Sequence, residues 1–319
     1  MSFFAILLAF LLEQARPLKS GNFVHTNMRA WVRWVIRSFD AGAKPHSWLA
    51  WGMAVGAPTL VALVLHWLLL VQLGWFAAMV WNVAVLYVTL GFRQFSHHFT
   101  EIRNALNAGD EAKARSLLAA WEQIDASELP RREIIRQVIE HSVVSAHRHV
   151  FGVLSWFSVL AAFGLGPAGA VLYRLAEFVN RYWRHMASQP AQPVSELTQT
   201  FAARAWAGVD WLPARITATG FAVVGSFEDA IEGWRLYEAQ SEQSNDGIIL
   251  AATAGAVNVQ LGDASVTVEG TAEEDVTPPT APRPEPELAH LTSVVGLVWR
   301  SVVMWMVLLA LLTLARLLG

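Results

Sequence analysis

The stretch Trp48-Leu-Ala-Trp-Gly-Met-Ala-Val-Gly-Ala-Pro-Thr-Leu-Val-Ala-Leu-Val-Leu-His-Trp-Leu-Leu-Leu-Val-Gln-Leu73 contains no charged residue. About 20 consecutive apolar residues suffice to span a bilayer as a helix, so this run reads as a span. Pro58 is expected to kink it, because proline supplies no amide hydrogen and crowds the preceding turn. Gly74 makes a turn and Trp75–Phe92 a second apolar run, so the two read as a helical hairpin.

Both flanks are basic. Residues 13–47 hold Arg16, Lys19, Arg29, Arg33, Arg37 and Lys44, and residues 93–149 hold Arg93, Arg103, Lys113, Arg115, Arg131, Arg132, Arg136 and Arg148. Lys and Arg concentrate on the cytoplasmic side of membrane proteins, so both flanks are expected inside, as a hairpin requires. Upstream, Phe3–Leu12 is apolar but too short to cross alone. It lacks a basic leader and a small-residue cleavage site, so it does not read as a cleavable signal.

Composition agrees with this start. Of 319 residues, 54% are hydrophobic and only 15% charged, with 15 Trp, and mean hydropathy is +0.37. Soluble domains run nearer a quarter charged, and Trp favours membrane interfaces. A disordered chain is excluded. Net charge is −3, so no global basic field points to nucleic acid. There is no cysteine, which excludes disulfides, cysteine–zinc sites and thiol nucleophiles.

Residues 93–149 read as a cytoplasmic helical module. Asn107-Ala-Gly-Asp110 is a turn that opens a helix, and Pro130 opens another. Val150–Leu175 is apolar but broken at Gly164-Leu-Gly-Pro-Ala-Gly169. The basic segment behind it, with Arg174, Arg181, Arg184, Arg204 and Arg215, stays inside if this stretch folds back as a re-entrant or broken helix rather than crossing once. Residues 216–227 and 247–262 read as short, small-residue half-helices. The acidic, Pro-rich segment 263–292 reads as a linker, and 293–319 as a last transmembrane helix. The expected fold is therefore all-α: a polytopic integral membrane bundle with regions 1–92, 93–149, 150–262, 263–292 and 293–319, placed in a bacterial-type inner membrane.

No local pattern carries chemistry by itself. His97 and His98 are adjacent, and His141, His147 and His149 lack ligand spacing, so no metal site is expected. The Gly164–Gly169 loop lacks the Lys-Ser/Thr of a phosphate loop and reads first as a helix break. Arg136 and Glu140 read as an i,i+4 pair, and Asp125 as a cap near the helix opened by Pro130.

The order of several elements resembles the CobD/CbiB family of cobalamin-biosynthesis membrane proteins and its AmpE-type signalling relatives. The carriers are Leu106-Asn-Ala-Gly-Asp110 with Ala114-Arg115, Asp125 to Glu140, Gly166-Pro-Ala-Gly-Ala170 with Tyr173-Arg174, Leu212-Pro-Ala-Arg215, and Ala254-Gly-Ala-Val-Asn-Val-Gln-Leu-Gly262. The resemblance implies an amide ligation joining an aminopropanol group to the corrin acid cobyric acid, with ATP and Mg. This chain departs from the ligase pattern at several acids. Val144-Ser-Ala-His-Arg148 stands at the Glu-Asn-Thr-x-Asp motif, Trp206-Ala207 at an Asp pair, Asp210 at an Asn, Leu250 at a Glu and Ile124 at an Arg.

His147–Phe157 and Val209-Asp-Trp-Leu-Pro-Ala-Arg215 look closer to the AmpE side. The expected function is accordingly an AmpE-like envelope sensor or modulator without a cofactor. It would hold an anionic or lipid-linked small molecule through Arg136, Arg148, Arg174, Arg204, Arg215, Asn245, Gly166 and Gly169. The alternative is a divergent ligase acting on a corrinoid with ATP and Mg, with Asp125, Glu140, Glu177 and Asp210 as its catalytic acids. The expected partners are the lipid bilayer and, for either reading, a second copy of the chain.

Overall fold

The computed structural model describes residues 2–16, 23–122, 124–188, 194–239, 243–262 and 283–318. Among these the secondary structure is entirely helical, so the all-α expectation is met. The expected linker falls largely on 263–282, outside the described residues. Contacts divide the chain into two compact units. One comprises residues 1–93, 147–213 and 306–319; the other comprises 94–146 and 214–305.

The first unit begins with α1 (Ser2–Ala15) and α2 (Phe23–Phe39). Next, α3 (Lys44–Trp51), a π-turn (Gly52–Gly56) and α4 (Ala57–Leu73) join into one continuous helix, followed by α5 (Trp75–Thr89). The expected kink at Pro58 takes the form of that π-turn. Such insertions are a recognised way for a helix to accommodate a residue that breaks the i→i−4 ladder. The carbonyl that Pro58 leaves without its usual partner is that of Ala54, and the Trp31 indole donates to it at 3.3 Å.

Among the described residues two helices are long and apolar enough to cross a membrane: Lys44–Leu73 and Leu288–Ala315. Phe3–Ala15 and Trp75–Thr89 are shorter apolar helices. On α4 the side chains of Leu60, Val61, Val64, Leu68 and Val71 are exposed. Water solvates such a contiguous apolar face poorly.

The glycine-proline break is a tight helical hairpin. After a second π-turn (His147–Phe151), α9 (Gly152–Ala162) ends at Gly164, whose φ is +77°. The Leu165 amide donates to the Leu160 carbonyl at 3.0 Å and the Gly164 amide to the Ala161 carbonyl at 3.1 Å. This paired capping requires a left-handed residue, which glycine adopts without steric cost. Helix α10 (Ala168–Ala187) then returns along α9. The two backbones approach so closely that a Cβ on Gly169 would lie 2.0 Å from the Trp156 carbonyl oxygen. At the hairpin tip, Gly166 (φ +55°) lies against the ring of His66 in α4.

The second unit contains α6 (Phe92–Asn107), α7 (Glu111–Glu122) and α8 (Arg131–Ala146). The expected turn at Asn107–Asp110 is present, and Asp110 caps α7 by accepting the Lys113 amide at 3.0 Å. Helix α11 (Glu196–Val224) carries the unit boundary at Pro213. Helices α12 (Phe227–Glu238) and α13 (Asn245–Ala256) pair through small residues. A Cβ on Gly255 would meet the Asp229 carbonyl at 2.0 Å, and one on Gly233 the Ala251 carbonyl at 2.7 Å. Helix α14 (Leu288–Leu318) closes the chain.

Candidate functional site

In the first unit three polar side chains meet in a wholly buried position. His147 opens the π-turn, Tyr173 comes from α10 and Asp210 from α11. His147 Nε2 lies 2.8 Å from Asp210 Oδ1, and the Tyr173 hydroxyl donates to the same oxygen at 2.8 Å. Tyr173 Oη and His147 Nε2 are 3.1 Å apart. None of the three is solvent-exposed, and among the described residues Asp210 Oδ2 has no hydrogen-bond partner.

The local folding explains the meeting. Gly152 offers no side chain where the Tyr173 ring packs; a Cβ there would lie 2.1 Å from Tyr173 Cζ. Trp206 packs beside the same ring at 5.2 Å between centroids. The carbonyl of Val209 receives the Trp156 indole at 2.8 Å, and Val209 is four residues before Pro213, which has no amide hydrogen to offer it. That bond fixes the turn of α11 that carries Asp210. A buried carboxylate hydrogen-bonded to an imidazole fixes the ring's orientation and tautomer, and the tyrosine hydroxyl adds a donor to the same oxygen.

One turn along α10, Glu177 is 3% exposed and is clamped by two arginines. Arg174 Nη1 is 2.8 Å from one carboxylate oxygen, and Arg181 Nε is 2.9 Å from the other. Arg148 and His149 add positive field there. A carboxylate removed from water is stabilised by such pairing and hydrogen bonding. Gly166 and Gly169 line the hairpin and serve close packing. Arg204 is exposed on α11.

The second unit holds the other expected residues in separate groups. Arg136 Nε bonds Glu133 at 2.9 Å and Arg136 Nη1 reaches Glu140 at 3.3 Å, so the i,i+4 pair is present. Glu140 also accepts the Gly262 amide at 2.7 Å. Arg215 bonds Asn245 Oδ1 at 3.5 Å and lies 3.8 Å from Glu238. Asp125 stands apart at an exposed turn, accepting the amide and hydroxyl of Ser127.

Near Glu140, Glu122 lies 3.4 Å from His141 Nδ1. Trp121 packs edge-on to His141 at 4.3 Å and stacks with His98 at 5.8 Å. Burial raises the Glu122 carboxyl, and the negative charge of Glu140 raises it further, to about 7.

Of the four expected catalytic acids, the fold therefore buries Asp210 and Glu177, half-buries Glu140 and leaves Asp125 exposed. Sequence reasoning passed over Tyr173 and His147. His147 has no local ligand spacing because its partner is 63 residues away. Gly152, placed where only a glycine admits the tyrosine ring, was the available signal. Among the described residues no group of three His, Asp or Glu is placed to hold a metal ion.

A family model described as CobD/Cbib protein matches residues 3–315. The cobalamin biosynthesis protein CobD of Stutzerimonas stutzeri is 30% identical over 268 residues, covering 84% of this chain and 82% of that protein. The protein of the same name from Chromobacterium violaceum is 31% identical over 232 residues, 70% of this chain and 67% of its own length. That of Leptospira interrogans is 29% identical over 203 residues, 60% and 59% respectively. No solved structure matches the chain.

These relatives are named for cobalamin biosynthesis, which overturns the expectation of an AmpE-like envelope sensor or modulator. That expectation rested on acids absent from motif positions along the chain. The fold buries the carboxylates of Asp210 and Glu177, two of the acids named for the alternative ligase reading.

Proposed function

The chain belongs to the CobD/CbiB protein family, and on that premise we propose that it is a divergent adenosylcobinamide-phosphate synthase. In this reading it is an amide-forming ligase of cobalamin biosynthesis that joins an aminopropanol donor to a corrin acid with ATP. The observation that carries the reading is the match over residues 3–315, together with relatives named for this pathway. Amide formation requires the attacking amine to lose a proton. The His147–Asp210 pair, with Tyr173 donating to it, is the first unit's candidate positioning cluster, acting through groups nearer the substrate because it is itself buried. The paired Arg174 and Glu177 supply charge of both signs along the same helix.

The ligase works at the inner membrane in this proposal, with α4, α5 and α14 as spans. The exposed apolar face of α4 supports this placement. The α9–α10 hairpin is re-entrant, entering from the cytoplasmic side and meeting α4 at His66. The contact between Gly166 and His66 supports that arrangement.

The test is catalytic and genetic. Purified protein in detergent is given cobyric acid, an aminopropanol donor, ATP and Mg, and the product is sought by mass. In parallel, the gene is expressed in a strain lacking its own ligase. Turnover and rescue are expected. Absence of both from a chain shown to be well expressed and folded would sink the reading.

A further inference from the structure

The geometry points to α2 as an interfacial helix that binds anionic phospholipid headgroups. This rests on the membrane placement proposed above and on the exposure and charge of one helix, and is independent of the ligase chemistry. The buried side of α2 is Val32, Val35 and Ile36, and it packs on α3 and the first π-turn. The side turned away is apolar as well as charged. Phe23 is 80% and Trp34 50% exposed. Trp34 stacks with Trp31 at 5.2 Å and meets Phe39 edge-on at 6.0 Å.

A helix facing bulk water gains nothing from displaying Phe23 and Trp34 on one side. One lying in a membrane interface does, since tryptophan settles at headgroup level. Position agrees, because Phe39 is five residues before Lys44, where the Lys44–Leu73 helix begins.

Charge selects the headgroup. Arg29, Arg33 and Arg37 follow one another at i,i+4 spacing, and α2 contains no Asp or Glu. Like charges at this spacing destabilise a helix, so the ridge calls for anions from outside it. Arg33 donates to the Tyr182 hydroxyl at 2.9 Å, which leaves its charge uncompensated. Arg29 and Arg37 are exposed, and among the described residues neither has a carboxylate partner. Basic residues beside exposed aromatics match a phosphate plane above an acyl region.

The absence of cysteine makes the test direct. Ala30 is exposed on this side of α2, so full-length Ala30→Cys takes one environment-sensitive fluorophore. The protein is placed in nanodiscs of phosphatidylcholine, alone or with phosphatidylglycerol. The expected result is a blue-shifted emission protected from iodide when phosphatidylglycerol is present, reversed by high salt. Inorganic phosphate added to phosphatidylcholine discs is expected to leave the signal unchanged.

In the Arg29→Gln/Arg37→Gln background, the ratio of membrane-docked to undocked α2 in phosphatidylglycerol discs should fall by roughly fivefold per arginine. Ser38→Cys, also exposed, repeats the measurement where the first label disturbs folding. Equal iodide access in both discs, a response to free phosphate, or an unchanged response in the double variant would each overturn the proposal.

Discussion

The indole of Trp156 donates to the Val209 carbonyl at 2.8 Å, the one carbonyl in α11 that Pro213 deprives of its helical partner. Trp31 does the same for Ala54, four residues before Pro58, at 3.3 Å. In each case a tryptophan from a neighbouring segment satisfies a backbone acceptor that an in-helix proline has released. Part of the tryptophan excess therefore serves proline-containing helices.

A double-mutant cycle tests this. Trp156→Phe keeps an aromatic ring but removes the donor, and an acceptor left without a partner costs about 1–3 kcal/mol. Pro213→Ala restores an amide hydrogen to Val209, so Trp156→Phe should cost about 1 kcal/mol less in that background. Thermal unfolding in detergent reads the four proteins, and strictly additive effects would refute the coupling.

Gly169, a ligand-binding position by resemblance, has in the structure a packing contact that can be measured. Its missing Cβ faces the Trp156 carbonyl at 2.0 Å, and backbone cannot swing aside as a side chain can. Gly169→Ala should separate α9 from α10 and destabilise by about 1–3 kcal/mol. Gly208 is the control: it is exposed on α11, and nothing lies within 4 Å of where its Cβ would stand. Gly208→Ala should stabilise by about 0.5–1 kcal/mol, the helix preference of alanine. Equal effects at the two positions would remove the packing argument.

Local signals in the sequence were good guides to local structure. The apolar run at 48–73, the Asn107–Asp110 turn and the Gly-Pro break each became the element their residues suggest, because capping, periodicity and glycine turns act within a few positions. The site was less legible. Asp210 was singled out, yet its partners His147 and Tyr173 lie 63 and 37 residues away, and no spacing rule reaches so far. The AmpE-like expectation, drawn partly from missing motif acids, is overturned by the relatives' names and not by any spacing in the chain.

Glu122 gives a pH prediction with a definite sign. Its carboxyl is raised from 4.5 to about 7, first by burial and then by Glu140, while the unfolded chain keeps the ordinary value. The folded state thus holds the proton more tightly. The stability this provides is fully present below pH 4.5 and is lost as pH rises through about 7. Glu122→Gln, which stays neutral, should flatten that loss. The difference should amount to about 1–2 kcal/mol after allowance for solvent screening. His141 at 3.4 Å offsets part of it where the imidazole is charged. Melting temperatures at pH 5 and pH 8 decide the matter, and parallel pH profiles for the two proteins would exclude a role for this carboxyl.

The proposed re-entry of the α9–α10 hairpin makes the most direct topological prediction, again helped by a chain without cysteine. His66, which the hairpin tip touches, lies seven residues before Leu73, about 10 Å along a helix axis. A tip at that depth without emerging returns α10 to the side it came from. Ala41, Gln72 and Ser188 are exposed and mark the start of the first span, its far end and the end of α10. Single cysteines at Ala41 and Ser188 should react with a membrane-impermeant maleimide from the cytoplasmic side of oriented vesicles, and one at Gln72 from the opposite side. Labelling of Ser188→Cys on the Gln72 side would mean that the α9–α10 segment crosses once. The basic run from Arg181 to Arg204 would then lie outside, against the distribution of Lys and Arg on which the orientation of α4 depends.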